Sequence, residues 1–243
     1  MPQPWTIAVP SCVIPGTVAE NARFLAGKVA EVGLCLFEAE SCLRYGVTDI
    51  PTSLAQLPLT WHIHLPVDLP WEAGGAAAAV MALAVGGKVR FLQPRLAVLH
   101  PPAGSPETQA RLLRDFAAAW RKHSACPLLL ENIDTCPLAT LPADIFDAFA
   151  VCLDVGHMLG FGQEVLLEQP HILHKVRLVH WSAPGAKDQH LPLRALTADQ
   201  RGTACRVLRQ IPREACHMLE IFHWAGVDSS RPVLTTLQEN AWL

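Results

Sequence analysis

The sequence predicts an α/β fold, a (β/α)8 TIM barrel built as one domain over residues 1–243. Three observations predict it. The length matches the roughly 250 residues that a complete barrel needs. Eight short β-like runs alternate with helix-like segments, as expected of repeated βαβ units. Polar residues of metal-ligand type punctuate most of those runs near their ends, and in such barrels the C-terminal strand ends converge on one mouth.

The runs are Thr6–Val9, Leu34–Glu38, Leu59–Leu65, Leu96–His100, Leu128–Ile133, Ala150–Val155, Val176–Trp181 and His217–Phe222. Segments such as Glu107–Lys122 lie between them, with helical spacing and basic residues gathering at the C-terminal end. Gly74–Gly87 reads as a buried, Ala-rich helix, too short to span a bilayer. The second helix is the weakest: Asp49–Leu57 is short and contains Pro51. No linker divides the chain.

Composition narrows the function. With 19 Lys and Arg against 22 Asp and Glu, the net charge is −3. A nucleic-acid partner would call for a basic stripe, and none is present. The N-terminus lacks the basic start and apolar run of a signal peptide, so a cytoplasmic protein with no membrane association is expected. The eight Cys include no CxxC pair and read as reduced, mostly buried residues rather than disulfides or zinc-finger ligands.

Run three ends in WHIHLP, placing His62 and His64 on one strand face; run four ends at His100. Run five carries Glu131, run six Asp154 with His157 just beyond, run seven His180 and run eight Glu220; Asp188 and His190 follow in the loop after run seven. One such residue alone is more often a satisfied core side chain than a ligand. Six successive strands each carrying a candidate are much harder to obtain by chance. Imidazoles and carboxylates converging on one mouth need a cation, and this many nitrogen and oxygen donors exceed one tetrahedral zinc. The pattern predicts two to three divalent ions, zinc first and manganese second, with Glu131 as a bridge. One site would use His64 and His100, a second Asp154, His180 and Glu220, and a third His157, Asp188 and His190. His62 would be a ligand or would orient one. His217 and His223 are out of phase with Glu220 and should face away from the barrel interior.

These residues resemble the xylose-isomerase-like barrel superfamily, and within it the apurinic-site endonuclease branch, endonuclease IV. The resemblance rests on His64 before a tight turn, His100-Pro101, Glu131-Asn132, Asp154 with His157, His180, Asp188 with His190, and Glu220, in that order. It implies three zinc-class ions and phosphodiester hydrolysis, with Glu131, Asp154 and Glu220 as the catalytic carboxylates. Sugar isomerases of the superfamily need only the counterparts of Glu131, Asp154, His180 and Glu220, so the remaining residues favour phosphoester chemistry. Metals a few Å apart suit that chemistry, because they hold both the attacking and leaving oxygens of an in-line displacement.

The chain is acidic, poor in Lys and Arg after its strands, and instead offers Trp71, Trp181, Phe222 and Trp224 as substrate-binding residues. Those suit a bulky, partly apolar small molecule. The segment WHIHLPVDLPW also resembles the cobamide-remodelling phosphodiesterases, which implies hydrolysis of the nucleotide loop of a B12-type corrinoid. Three classes of function are therefore carried forward: a small-molecule phosphodiesterase, a sugar isomerase or epimerase, and a non-catalytic metal-binding barrel. An abasic-site DNA endonuclease is the remaining alternative within the hydrolases.

Overall fold

The computed structural model describes residues 5–186 and 189–241. Its elements run β1 (Ile7–Pro10), α1 (Val18–Leu25), β2 (Glu31–Cys35), α2 (Ala39–Leu43), β3 (Thr60–His64), α3 (Gly75–Gly87), β4 (Ala97–Leu99), α4 (Pro106–Arg121) and β5 (Leu128–Glu131). They continue with β6 (Ala150–Asp154), α5 (Val155–Gly160), α6 (Pro170–Leu173), β7 (Val176–Trp181), β8 (Ala183–Pro184), β9 (His190–Leu191), α7 (Ala198–Gln210), β10 (Cys216–Leu219) and α8 (Trp224–Ala241). Strands β1 to β7 and β10 close into a parallel barrel, β10 pairing with β7 on one side and β1 on the other. The expected (β/α)8 TIM barrel is therefore the fold observed. Strands β8 and β9 form a small antiparallel hairpin beyond β7.

Two expectations need correction. The second strand spans Glu31–Cys35, three residues earlier than Leu34–Glu38, because Gly33 and Glu31 belong to the pairing with β1 and β3. The connection from β5 to β6 holds only a single 3₁₀ turn, Ala143–Asp147, and the Asp49–Leu57 segment likewise reduces to a 3₁₀ turn at Thr52–Gln56.

Local chemistry fixes the longer helices. Thr17 and Glu20 form a reciprocal cap on α1, and Thr197 and Gln200 do the same on α7. Helix α4 starts with Ser105 as cap and Pro106 in its first turn, and it buries Leu113, Phe116, Ala117 and Trp120. Helix α3 needs no amphipathic stripe, since its small residues let α4 lie close. At Gly75 a Cβ would fall 2.0 Å from the Leu112 carbonyl oxygen.

The barrel interior follows strand parity, because successive side chains on a strand point to opposite faces. Ala8, Val98, Leu129, Cys152, Leu178, Cys216 and Met218 form an apolar plug, separate from the larger cluster between strands and helices. The next inward positions toward the C-terminal ends are His64, His100, Glu131, Asp154, His180 and Glu220.

Close packing between α3 and α4 generates a paired test. Gly75→Ala should destabilise the protein by about 1–3 kcal/mol, the usual cost of overpacking. Gly202→Ala, on exposed α7 with nothing within 4 Å of its new Cβ, should stabilise it by about 1 kcal/mol. Urea unfolding of both variants checks the prediction, and equal effects would refute it.

Candidate metal centre

Glu131 lies at the middle of the cluster and is buried. Its Oε2 is 3.2 Å from His64 Nε2, 3.5 Å from His100 Nε2 and 3.5 Å from His180 Nδ1, while its Oε1 is 3.5 Å from His157 Nδ1. Three ligand-sized groups share it among the described residues: His64, His100 and Glu131; Glu131, Cys152 and His180; and Glu131, Asp154, His180 and Glu220, each with donor atoms within 4.8 Å of one another. The residues expected for the first two metal sites are brought together, with Glu131 common to both sets.

Local structure aims the donors. His64 donates from Nδ1 to the Leu65 carbonyl at 2.9 Å, which leaves Nε2 facing Glu131. Asp154 caps α5: its Oδ1 accepts from the His157 amide at 2.6 Å, so Oδ2 is turned into the site. Asn132 ties β5 to β6, donating to the Asp154 carbonyl and accepting from the Asp154 amide. Gln163 in turn accepts from Asn132 and donates to the Ile133 carbonyl. Gly156 permits α5 to approach β7, since a Cβ there would lie 2.2 Å from Ser182 Oγ.

The electrostatics fit a cation. Burial pushes the Glu131 carboxyl up, but the His180 and His100 rings outweigh this and hold it well below the ordinary carboxylate range. Glu220 is lowered in the same way, its burial outweighed chiefly by His180. Asp154 is pushed up to about 6, mainly by burial. His180 is raised well above the ordinary value: burial opposes its charge, but Cys152, Glu220 and Glu131 favour it. Asp154 Oδ2, His180 Nδ1, His190 Nδ1 and Glu220 Oε2 are buried without a well-formed hydrogen bond. Buried orphans of both signs facing one another are what divalent ions would satisfy, and the nitrogen and oxygen donor set suits zinc or manganese.

The expected third group is partly described. His157 and His190 come together, ring centroids 5.5 Å apart, and His190 Nδ1 lies 3.5 Å from Glu220 Oε2. Asp188 lies outside the described residues. His62 is not part of the cluster. It shares the face of His64 but sits one pleat deeper, with Nδ1 2.8 Å from Glu31 Oε1 and Nε2 3.2 Å from Met218 Sδ. Glu31 is also held by Arg95 and by the Thr60 hydroxyl, so this network closes the base of the barrel.

The aromatic assignments change most. Trp181 is fully buried on the outer face of β7, where its Nε1 donates to His217 Nδ1 at 2.9 Å; it cannot line the mouth. His217 does face away from the interior, stacked on Trp5. Trp71 packs on Phe116 and Trp224 on Phe24, both against the outer core. Phe222 alone of the four meets the cluster, its ring 5.2 Å from that of His190. Phe37, 5.1 Å from the His64 ring, and Phe161, 5.4 Å from the His157 ring, join it and were not singled out from sequence. Phe37 lies two residues past Cys35 and so in phase with the inward face of β2, a signal open to reading once that strand is placed correctly. A cleft of about 240 Å³ opens between His157, Phe161, Gln189 and His190.

Because ligands must be deprotonated, protons compete with metal. Asp154, titrating near 6, and His180, raised above its ordinary value, must both give up protons. Zinc affinity of the metal-free protein should therefore rise with pH, by at least roughly tenfold between about pH 5.5 and 7.5. Chelator competition at the two pH values measures this, and equal affinities would count against these ligands.

No protein-family profile matches the sequence, and no curated protein matches it. Solved structures do. A D-tagatose 3-epimerase-like protein superposes with a TM-score of 0.74 at 15% identity, over 97% of this chain and 98% of that one. Endonuclease IV from Thermus thermophilus superposes with a TM-score of 0.69 at 18% identity, over 98% and 100%. The IOLI protein with a bound zinc atom superposes with a TM-score of 0.69 at 12% identity, over 97% and 99%. Identities this low establish a common barrel architecture.

Proposed function

We propose that this chain is a metal-dependent phosphodiesterase acting on a small molecule, with the nucleotide loop of a cobamide as the favoured substrate. One observation carries the reading: a His64–His100 group and an Asp154–His180–Glu220 group share Glu131. An isomerase needs only the second group. Two adjacent sites with a common carboxylate suit the attacking and leaving oxygens of an ester displacement.

The residues divide the work. Glu131, Asp154 and Glu220 concentrate negative charge that would hold divalent ions, and His64, His100 and His180 complete the donor sets. Bound ions would supply Lewis-acid stabilisation of the phosphoryl oxygens and an acidified water. His157 and His190 flank the cleft beside Phe161. Phe161 and Phe222 are 39% and 37% exposed, so they offer apolar surface beside the cluster for an organic group. Segments 65–74, 100–105, 132–149, 155–169 and 220–223, which follow five of the barrel strands, contain no Lys or Arg. That supports a small-molecule ester over a nucleic acid, whose binding depends on phosphate contacts. Among the described residues no helix is long and apolar enough to cross a membrane.

A second reading, a sugar isomerase or epimerase, is favoured by the likeness to the D-tagatose 3-epimerase-like protein and would need one metal at Glu131, Asp154, His180 and Glu220.

Purified protein should carry two to three divalent ions per chain. Glu131→Gln should keep the fold and lose phosphodiesterase turnover by several orders of magnitude, because it weakens both ion sites together. Elemental analysis and single-turnover rates test this; no stoichiometric metal, or an unchanged kcat, would refute it.

The decisive comparison incubates metal-loaded enzyme with a cobamide, abasic duplex DNA and ketohexoses. Loop hydrolysis of the cobamide alone is expected. Cleavage of DNA alone, or epimerisation of a sugar alone, would replace the reading. Phe161→Ala and Phe222→Ala should raise KM more than they lower kcat, since apolar contacts bind ground and transition states alike.

A further inference from the structure

Beside the metal cluster lies a slot whose walls are largely backbone. Gly156 and Gly160 stand four residues apart on α5 and so share one face of it. That face meets the chain leading into the β8–β9 hairpin. A Cβ on Gly156 would collide with Ser182 Oγ, and one on Gly160 would lie 3.3 Å from Pro184 Cβ. The missing side chains let helix and hairpin run close together. The gap left between them is the cleft of about 240 Å³, which the Phe161 ring also lines.

Three properties of the slot select its occupant. Its 240 Å³ falls below the roughly 300–1,000 Å³ of pockets that hold a whole drug-sized ligand, so it admits one ring system and not an entire substrate. Backbone on both sides favours a flat group, and Phe161, 39% exposed, offers ring surface for stacking. Among the described residues no Lys, Arg, Asp or Glu lines it, which favours an uncharged group.

The slot adjoins the cluster through two histidines that line it. His157 Nδ1 is 3.5 Å from Glu131 Oε1, and His190 Nδ1 is 3.5 Å from Glu220 Oε2. Phe222 packs on the same His190 ring at 5.2 Å but is not a wall of the slot. From Phe222 the apolar surface continues to Phe37, 6.0 Å away, whose ring is 5.1 Å from that of His64. A phosphoryl group held at the cluster would thus have a closed slot beside one histidine and an aromatic rim beside another.

We propose that the slot between α5 and the β8–β9 hairpin binds one arm of the diester, a single uncharged aromatic ring system of nucleobase size, and that the bulkier arm lies outside it over Phe37 and Phe222. The inference rests on the phosphodiesterase reading and fixes how the substrate is oriented. For a cobamide, the base of the nucleotide loop enters the slot and the corrin stays on the rim.

One readout needs no turnover. Ligand-observed NMR with benzimidazole, a two-ring probe, follows occupation of the slot in the metal-loaded protein. Gly160→Leu narrows the slot and Phe161→Ala removes its ring; each should weaken binding about tenfold, the scale of one lost stacking contact. Phe161 is partly exposed, so its truncation keeps the test available if Gly160→Leu does not fold. The second readout compares a cobamide with methyl 4-nitrophenyl phosphate, whose second arm is one methyl group. Phe161→Ala should raise KM about tenfold for both. Phe222→Ala should raise KM about fivefold more for the cobamide than for the small diester, the low end of the same contact range. Absence of benzimidazole binding to the parent, or binding that neither substitution weakens, would overturn the assignment of the slot. Equal effects of Phe222→Ala on the two diesters would overturn the division of the arms. If benzimidazole behaves as expected but the parent cleaves neither diester, the phosphodiesterase reading falls and the slot stands as a ring-binding site.

Discussion

The burial of three carboxylates beside several imidazoles at one end of the barrel is the constraint on which the rest of the site depends. Glu131, Asp154 and Glu220 are almost wholly removed from water. Isolated carboxylates in such a setting would be strongly disfavoured. The surrounding histidines compensate in the absence of a cation, and that is why His180 is raised while Glu131 and Glu220 are lowered. The same groups could serve as ligands to a cation that took over the compensation. Asn132, Gln163 and the cap that Asp154 places on α5 hold the oxygens in position whichever state is populated.

Strand parity explains which parts of this arrangement the sequence made legible. His64, His100, Glu131, Asp154, His180 and Glu220 all fall on inward positions, so a period of two found them. The same period, applied to Trp181, excludes it: it follows His180 directly and must face the helices. The parity argument that correctly turned His217 outward was not carried to its neighbour on β7, and the two outward residues in fact bond to each other. Phe222, two residues past Glu220, keeps the inward phase and reaches the cluster.

Parity gives the face but not the depth, and His62 marks that boundary. It shares the face of His64, yet one pleat of separation along the strand places it beside Glu31 and Met218 instead of Glu131. The depth of a residue in a barrel depends on the stagger between strands, which no single run records. The misplaced second strand has a related cause. Glu31 and Gly33 look unlike strand residues on their own, and their places become intelligible only beside β3: Glu31 receives the His62 ring, and Gly33 leaves room for it, since a Cβ there would sit 2.6 Å from His62 Nε2.

The apolar plug has a consequence for traffic through the molecule. Ala8, Val98, Leu129, Leu178 and Met218 fill the barrel axis between the cluster and the Glu31–His62–Arg95 base. Among the described residues the barrel axis is thus filled below the cluster, which is approached from the opposite end. Any molecule that binds at the cluster would therefore enter and leave by the rim where Phe161 and Phe222 stand. Under the proposed ester hydrolysis, a product that kept the organic portion of its parent would leave past the same surfaces that admitted it and would compete with the next substrate for entry.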